Sequence, residues 1–108
     1  MLQVLLVGID SAAAAMVAEW GYRTDHAEDS ETAIAKFEAA PPDVVLFDAC
    51  MPELDFPEAA NRPFLVAVTD DNEGSRRRAL ELGADIHLPK PLDPSVLKEL
   101  LERLQSAP

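Results

Sequence analysis

The sequence predicts a three-layer α/β sandwich around a five-stranded parallel sheet, and two observations carry that prediction. Residues 2–7, interrupted only by Gln3, and the unbroken apolar runs at 44–47 and 64–68 are Val/Leu-rich rather than alternating, as strands buried on both faces must be, and such strands belong to parallel sheets covered by helices. These runs alternate with stretches that carry helix caps and apolar stripes, a rhythm that right-handed crossovers turn into helix, sheet and helix layers.

Taken in order, residues 2–7 read as the first strand. Ser11 opens an Ala-rich stretch that runs to Trp20 and that Gly21 closes as a left-handed cap. At about ten residues this helix rises roughly 15 Å, only just enough to return along a five-residue strand. Residues 22–26 make a short, half-polar strand suited to a sheet edge. Asp29 or Ser30 caps a second helix with Ala33, Ile34, Phe37 and Ala40 along one stripe, and Pro41 and Pro42 stop it.

The third strand, Val44-Val45-Leu46-Phe47, delivers Asp48. Between residues 51 and 63, Pro52, Pro57 and Pro63 leave room for a turn or two of helix, so the third helix is shortened like the first. Glu53, Asp55 and Glu58 in that stretch read as solvated loop charges. The fourth strand, Phe64-Leu65-Val66-Ala67-Val68, delivers Thr69, and Asp71 or Asn72 caps a fourth helix ending at Gly83. The fifth strand, residues 86–89, delivers Lys90. Asp93 then caps a last helix with Pro94 at its first position. In that helix Val96, Leu97, Leu100, Leu101 and Leu104 turn inward, while Lys98, Glu99, Glu102 and Arg103 face water.

Composition limits the possible roles. A chain of 108 residues is expected to form one domain over 1–108, burying roughly two thirds of its unfolded surface. A formal charge of -11 argues against nucleic acid or an anionic membrane as partner. The single cysteine, Cys50, cannot form an internal disulfide, and residues 1–9 lack a basic leading segment and are too short to span a bilayer. The expectation is a cytoplasmic, soluble protein.

In open α/β sheets ligands collect beyond the carboxyl ends of the strands. A carboxylate, a hydroxyl and an ammonium, from Asp48, Thr69 and Lys90, are therefore expected to converge at one rim. Asp48-Ala49-Cys50-Met51-Pro52, Thr69 and residues 83–91, Gly-Ala-Asp-Ile-His-Leu-Pro-Lys-Pro, resemble the response-regulator receiver domain, and the resemblance spans the whole chain. It implies a flavodoxin-like, doubly wound sheet of order 2-1-3-4-5. It also implies a phosphoacceptor at Asp48, an ammonium from Lys90 that neutralises the phosphoryl oxygens, and a hydroxyl from Thr69 that binds one of them. Thr69 and His87 fall at the switch positions of the family, and Lys90-Pro91 falls where the family places a cis peptide.

Members of that family hold magnesium with a pair of acids just after the first strand. This sequence has Gly8 and Ile9 there and Asp10 one position later. The implied ligands are thus Asp10, Asp48 and the backbone carbonyl of Cys50, holding Mg2+ weakly. Asp10 reaches the cleft only if the chain at Gly8 breaks the alternation of the strand.

The remaining candidates have simpler readings. Lys90 pairing with Asp48 is also what a purely structural ion pair looks like. His87 reads as a packed strand residue and His26 as an exposed one. Arg76, Arg77 and Arg78 spread around a helix as a solvated face. Cys50 reads as an inert small side chain and Trp20 as a packing anchor.

The resemblance implies a protein that is not an enzyme but takes phosphoryl from a histidine kinase or phosphotransfer protein. It would signal by docking to a downstream protein through the face of helix four, strand five and helix five, which is also a homodimer candidate. The alternative is a pseudo-receiver, a protein-interaction module that works without phosphorylation, and Gly8 and Ile9 favour it.

Overall fold

The computed structural model describes residues 2–51, 56 and 63–106. Its five strands are β1 (Gln3–Val7), β2 (Arg23–Ala27), β3 (Val44–Asp48), β4 (Phe64–Thr69) and β5 (Ile86–Pro89). The helices among the described residues are α1 (Ser11–Glu19), α2 (Ser30–Ala39), α3 (Glu73–Glu81) and α4 (Pro94–Ser106). The sheet order is β2-β1-β3-β4-β5, all parallel, as expected. The expected short third helix, with Glu53, Asp55 and Glu58, lies outside the described residues.

Burial follows the apolar runs. In β1, β3 and β4 nearly every residue is buried, whereas β2 and β5 at the two edges are mostly exposed or half-buried. Alternate residues of the central strands feed two cores. Leu5, Val7, Val45, Phe47, Leu65 and Ala67 pack under α2 and α3 with Phe37 and Ala79. Val4, Leu6, Leu46, Val66 and Val68 pack under α1 and α4 with Val17, Leu97 and Leu101. Phe56 sits 5.6 Å from the Phe37 ring and 5.1 Å from that of Phe47, centroid to centroid. Phe56 is thereby packed against the first core. Trp20 packs against the second core, as expected of an anchor, and the Lys98 ammonium lies 5.9 Å from its ring.

The caps are resolved as well. Asp29 and Asn72 take the second and third helix starts, and the Ser95 N–H donates to Asp93 at the fourth. The first differs from expectation: Asp10, not Ser11, is the cap, accepting from the N–H groups of Ala12 and Ala13 at 2.7 and 3.0 Å. A carboxylate satisfies two free N–H groups of a first turn better than a hydroxyl one residue later, which is already helical. β2 lies one residue downstream of its expected position, starting at Arg23.

Candidate functional site at the strand ends

The register sets the geometry of the site. Asp48 closes β3 opposite Val68, and Thr69 closes β4 opposite Pro89, immediately before Lys90. The Lys90 N–H donates to the Thr69 carbonyl at 2.9 Å, extending the β4–β5 ladder by one step. The Lys90–Pro91 peptide is cis. From there the Lys90 side chain crosses β4, and its Nζ lies 3.0 Å from Asp48 Oδ2. The other Asp48 oxygen, Oδ1, accepts the Cys50 N–H at 2.9 Å.

Two of the three side chains expected to converge therefore meet directly. Thr69 is connected through its backbone, the residue is 1% exposed, and it does not line the cleft beside Asp48. That cleft, about 390 Å³, is walled by Gly8, Ile9, Asp10, Asp48, Val68 and the stretch Lys90-Pro91-Leu92.

The β1 wall is set by Gly8, whose φ of +67° turns the chain out of the strand. A Cβ there would meet the movable end of Met51, Cε, at 2.8 Å and Asp48 Cβ at an ordinary 3.5 Å, so it is the backbone conformation that asks for glycine. This turn brings Asp10 to the cleft, but one of its carboxylate oxygens is taken up in capping α1. Ile9 is buried, and its carbonyl lies 3.1 Å from Nε2 of His26. His26 is thus half-buried and tied to the β1–α1 turn, rather than simply exposed on the edge strand. His87 is exposed on β5, which corrects the expectation of a packed strand residue; an edge strand has no helix over that position.

Sequence reasoning missed Asp70. Its Oδ1 lies 3.0 Å from Lys90 Nζ, so the ammonium bridges two carboxylates. Its Oδ2 accepts the Cys50 thiol at 2.8 Å, and its backbone N–H donates to the buried Ser75 Oγ at 2.9 Å. The available signal was an acid directly after a strand-end residue already singled out.

The charges reinforce one another. Burial disfavours the Lys90 ammonium, but its hydrogen bonds to Asp48 and then Asp70 outweigh that and raise its pKa. The Cys50 thiol and the Lys90 ammonium hold the Asp70 carboxyl below its ordinary range. The bond to Asp70 pushes the Cys50 thiol up, in keeping with an inert cysteine.

A strand-end carboxylate held by an ammonium beside an open cleft agrees with the family match: residues 8–102 match the response regulator receiver domain. The chain belongs to the response-regulator receiver family. Among curated relatives it is 34% identical over 94 residues to response regulator MprA of Mycolicibacterium vanbaalenii, covering 80% of this chain and 39% of that protein. It is 32% identical over 99 residues to the alkaline phosphatase synthesis transcriptional regulatory protein PhoP of Bacillus subtilis, covering 81% and 41%. The receiver chain thus spans about two fifths of the length of these relatives.

Among solved structures it resembles the receiver domain of sensor histidine kinase PA1611 from Pseudomonas aeruginosa, with TM-score 0.84, 26% identity and 98% of each chain covered. That protein is described with a magnesium ion coordinated in its active site cleft. The signal receiver domain of a Syntrophus aciditrophicus histidine kinase gives TM-score 0.81 at 25% identity, covering 98% of this chain and 91% of that one. Receiver domains are signalling modules of two-component systems and interact with histidine kinases or phosphotransfer proteins. No helix among the described residues is long and apolar enough to cross a membrane.

Proposed function

We propose that this receiver domain accepts a phosphoryl group on Asp48 from a histidine kinase or phosphotransfer protein in the cytoplasm. The observation that carries the reading is the 3.0 Å contact between Lys90 Nζ and Asp48 Oδ2 at the mouth of the cleft. An ionised Asp48 oxygen forms the new bond to phosphorus while the bond to the donor's leaving group breaks and takes its electron pair with it. Lys90 neutralises the phosphoryl oxygens. Thr69, buried at the end of β4, is the hydroxyl proposed to turn toward one of them, and His87 on β5 is its partner in carrying the change to the surface.

Whether magnesium assists depends on the donors present. It requires a near-ideal octahedron of oxygens, commonly one or two carboxylates and waters. Gly8 and Ile9 bring no side-chain oxygen, Asp10 is engaged at the α1 start, and both Asp48 oxygens have donors. Among the described residues no three His, Cys, Asp or Glu side chains gather to hold an ion. This donor set does not fit a tightly held magnesium, even with the Cys50 carbonyl added, and any binding is expected to need millimolar concentrations.

Output is proposed to run through α3, β5 and α4, where Leu80, Ile86 and Val96 are exposed apolar side chains. That face would dock a downstream protein or a second copy. The poor magnesium site also supports a second reading, an interaction module that works without phosphorylation. Intact-mass measurement after incubation with acetyl phosphate, with and without millimolar magnesium, separates the two. The phosphoacceptor reading predicts one added phosphoryl group on the native chain and none on Asp48→Asn. An unmodified native chain under both conditions favours the second reading.

A further inference from the structure

We propose that Asp70 is a positioning residue for phosphoryl transfer, holding back part of the Lys90 ammonium that the incoming phosphoryl group needs. This rests on the reading of Asp48 as phosphoacceptor.

The Lys90 Nζ contacts Asp48 and Asp70 at the same distance, 3.0 Å. An ammonium has three N–H donors and one unit of charge, and here two carboxylates share them. Asp70 is no chance neighbour on a swinging loop. Its backbone N–H is fixed to the buried Ser75 Oγ, and Ser75 is itself held at the start of α3 by Asn72, its N–H donating to Oδ1 at 2.8 Å. The thiol of Cys50 occupies the other oxygen of Asp70, leaving Oδ1 aimed at Lys90.

Three consequences follow for the chemistry. The Asp70 carboxylate lies within twice the 3.0 Å contact of the Asp48 oxygen that faces Lys90, so it repels the anionic oxygens of an approaching donor. It also takes up one of the three Lys90 N–H donors at the edge of the cleft. When phosphorus bonds to Asp48 and acetate leaves acetyl phosphate with the bonding pair, Lys90 divides its single charge between Asp70 and the new oxygens. Asp70 therefore sets how readily the site accepts phosphoryl, without touching the reacting atoms itself.

The test uses Asp70→Asn, Asp70→Ala and Asp70→Glu with two readouts. The first is the 15N NMR signal of the Lys90 ammonium, resolved from those of Lys36 and Lys98 and assigned with Lys90→Arg. The second is the rate of labelling by acetyl phosphate. The expected result is a shifted Lys90 signal with faster exchange in Asp70→Asn and Asp70→Ala, labelling roughly three- to tenfold faster in both, and Asp70→Glu near the native values.

A Lys90 signal indifferent to Asp70→Asn, or labelling unchanged or slowed by it, overturns the proposal. Native and Asp70→Asn chains that both label at one rate leave Asp48 standing as phosphoacceptor and remove Asp70 alone. Neither chain labelling overturns both ideas, and labelling of Asp70→Asn only supports the proposal.

Discussion

On the β1 side of the cleft the chain turns on Gly8 at φ +67° and offers a buried isoleucine and a carboxylate committed to the start of α1. On the β3–β4–β5 side, Asp48, Lys90, Asp70 and Cys50 interlock through contacts of 2.8 to 3.0 Å. One wall is built from backbone requirements, the other from paired charges. The difference is why we propose the chemistry of this receiver domain at the ends of β3, β4 and β5. It also separates two jobs a carboxylate can do near a cleft, satisfying a helix start and serving an anion.

The sharpest way to break the charged wall is from beneath. Phe47 precedes Asp48, is fully buried, and stacks edge-on with Phe56. Phe47→Ala is expected to cost about 3–5 kcal/mol, read as a lowered urea midpoint, with phosphoryl labelling lost as the native fraction falls. A destabilisation below about 1 kcal/mol would mean that the β3 end is held by something other than this core.

The β1 wall predicts smaller effects of a different kind. Asp10→Ala is expected to cost about 0.5–2 kcal/mol through the lost cap, while Asp10→Asn, which can still cap, costs a few tenths. Both should label with acetyl phosphate at the native rate once folded. A large labelling defect in Asp10→Asn would show that its charge serves the cleft after all.

The smallest expected effect lies away from the site and serves as a reference for it. Lys36 Nζ meets Asp25 Oδ1 at 2.7 Å, and that hydrogen bond lowers the Asp25 carboxyl despite opposing burial. A carboxyl lowered in the folded state contributes stability above its unfolded pKa, and the contribution is lost as pH falls through the folded value. Acid titration should thus weaken the native chain below the ordinary carboxylate range, and Asp25→Asn should remove part of that slope. With the Asp25 side chain 46% exposed, the amount is about 0.5 kcal/mol or less. An unchanged slope in Asp25→Asn would show the pair to be inconsequential.

Much of the architecture was legible because it depends on patterns the chain states locally. Apolar runs marked β1, β3 and β4, and the pairs Asp29/Ser30 and Asp71/Asn72, with Asp93, marked helix starts that Asp29, Asn72 and Asp93 take. Asp48 and Lys90 were legible as a pair because strand ends of a parallel sheet share a rim. What escaped depended on conformations that no local pattern states. Asp10 is a cap where Gly8 leaves the strand with positive φ, and His26 meets the Ile9 carbonyl at that same turn. Asp70 drew no reading because its contacts need Lys90 to arrive from another strand and Ser75 from the following helix.

We propose Asp48, held by Lys90, as the group that takes the phosphoryl. Borohydride trapping of the chain after treatment with acetyl phosphate, followed by peptide mapping, tests it most directly, since an acyl phosphate on aspartate is reduced to homoserine. Homoserine is expected at position 48 and at no other aspartate. Homoserine at Asp10 or Asp70 instead, or none in a chain left fully folded, would contradict it.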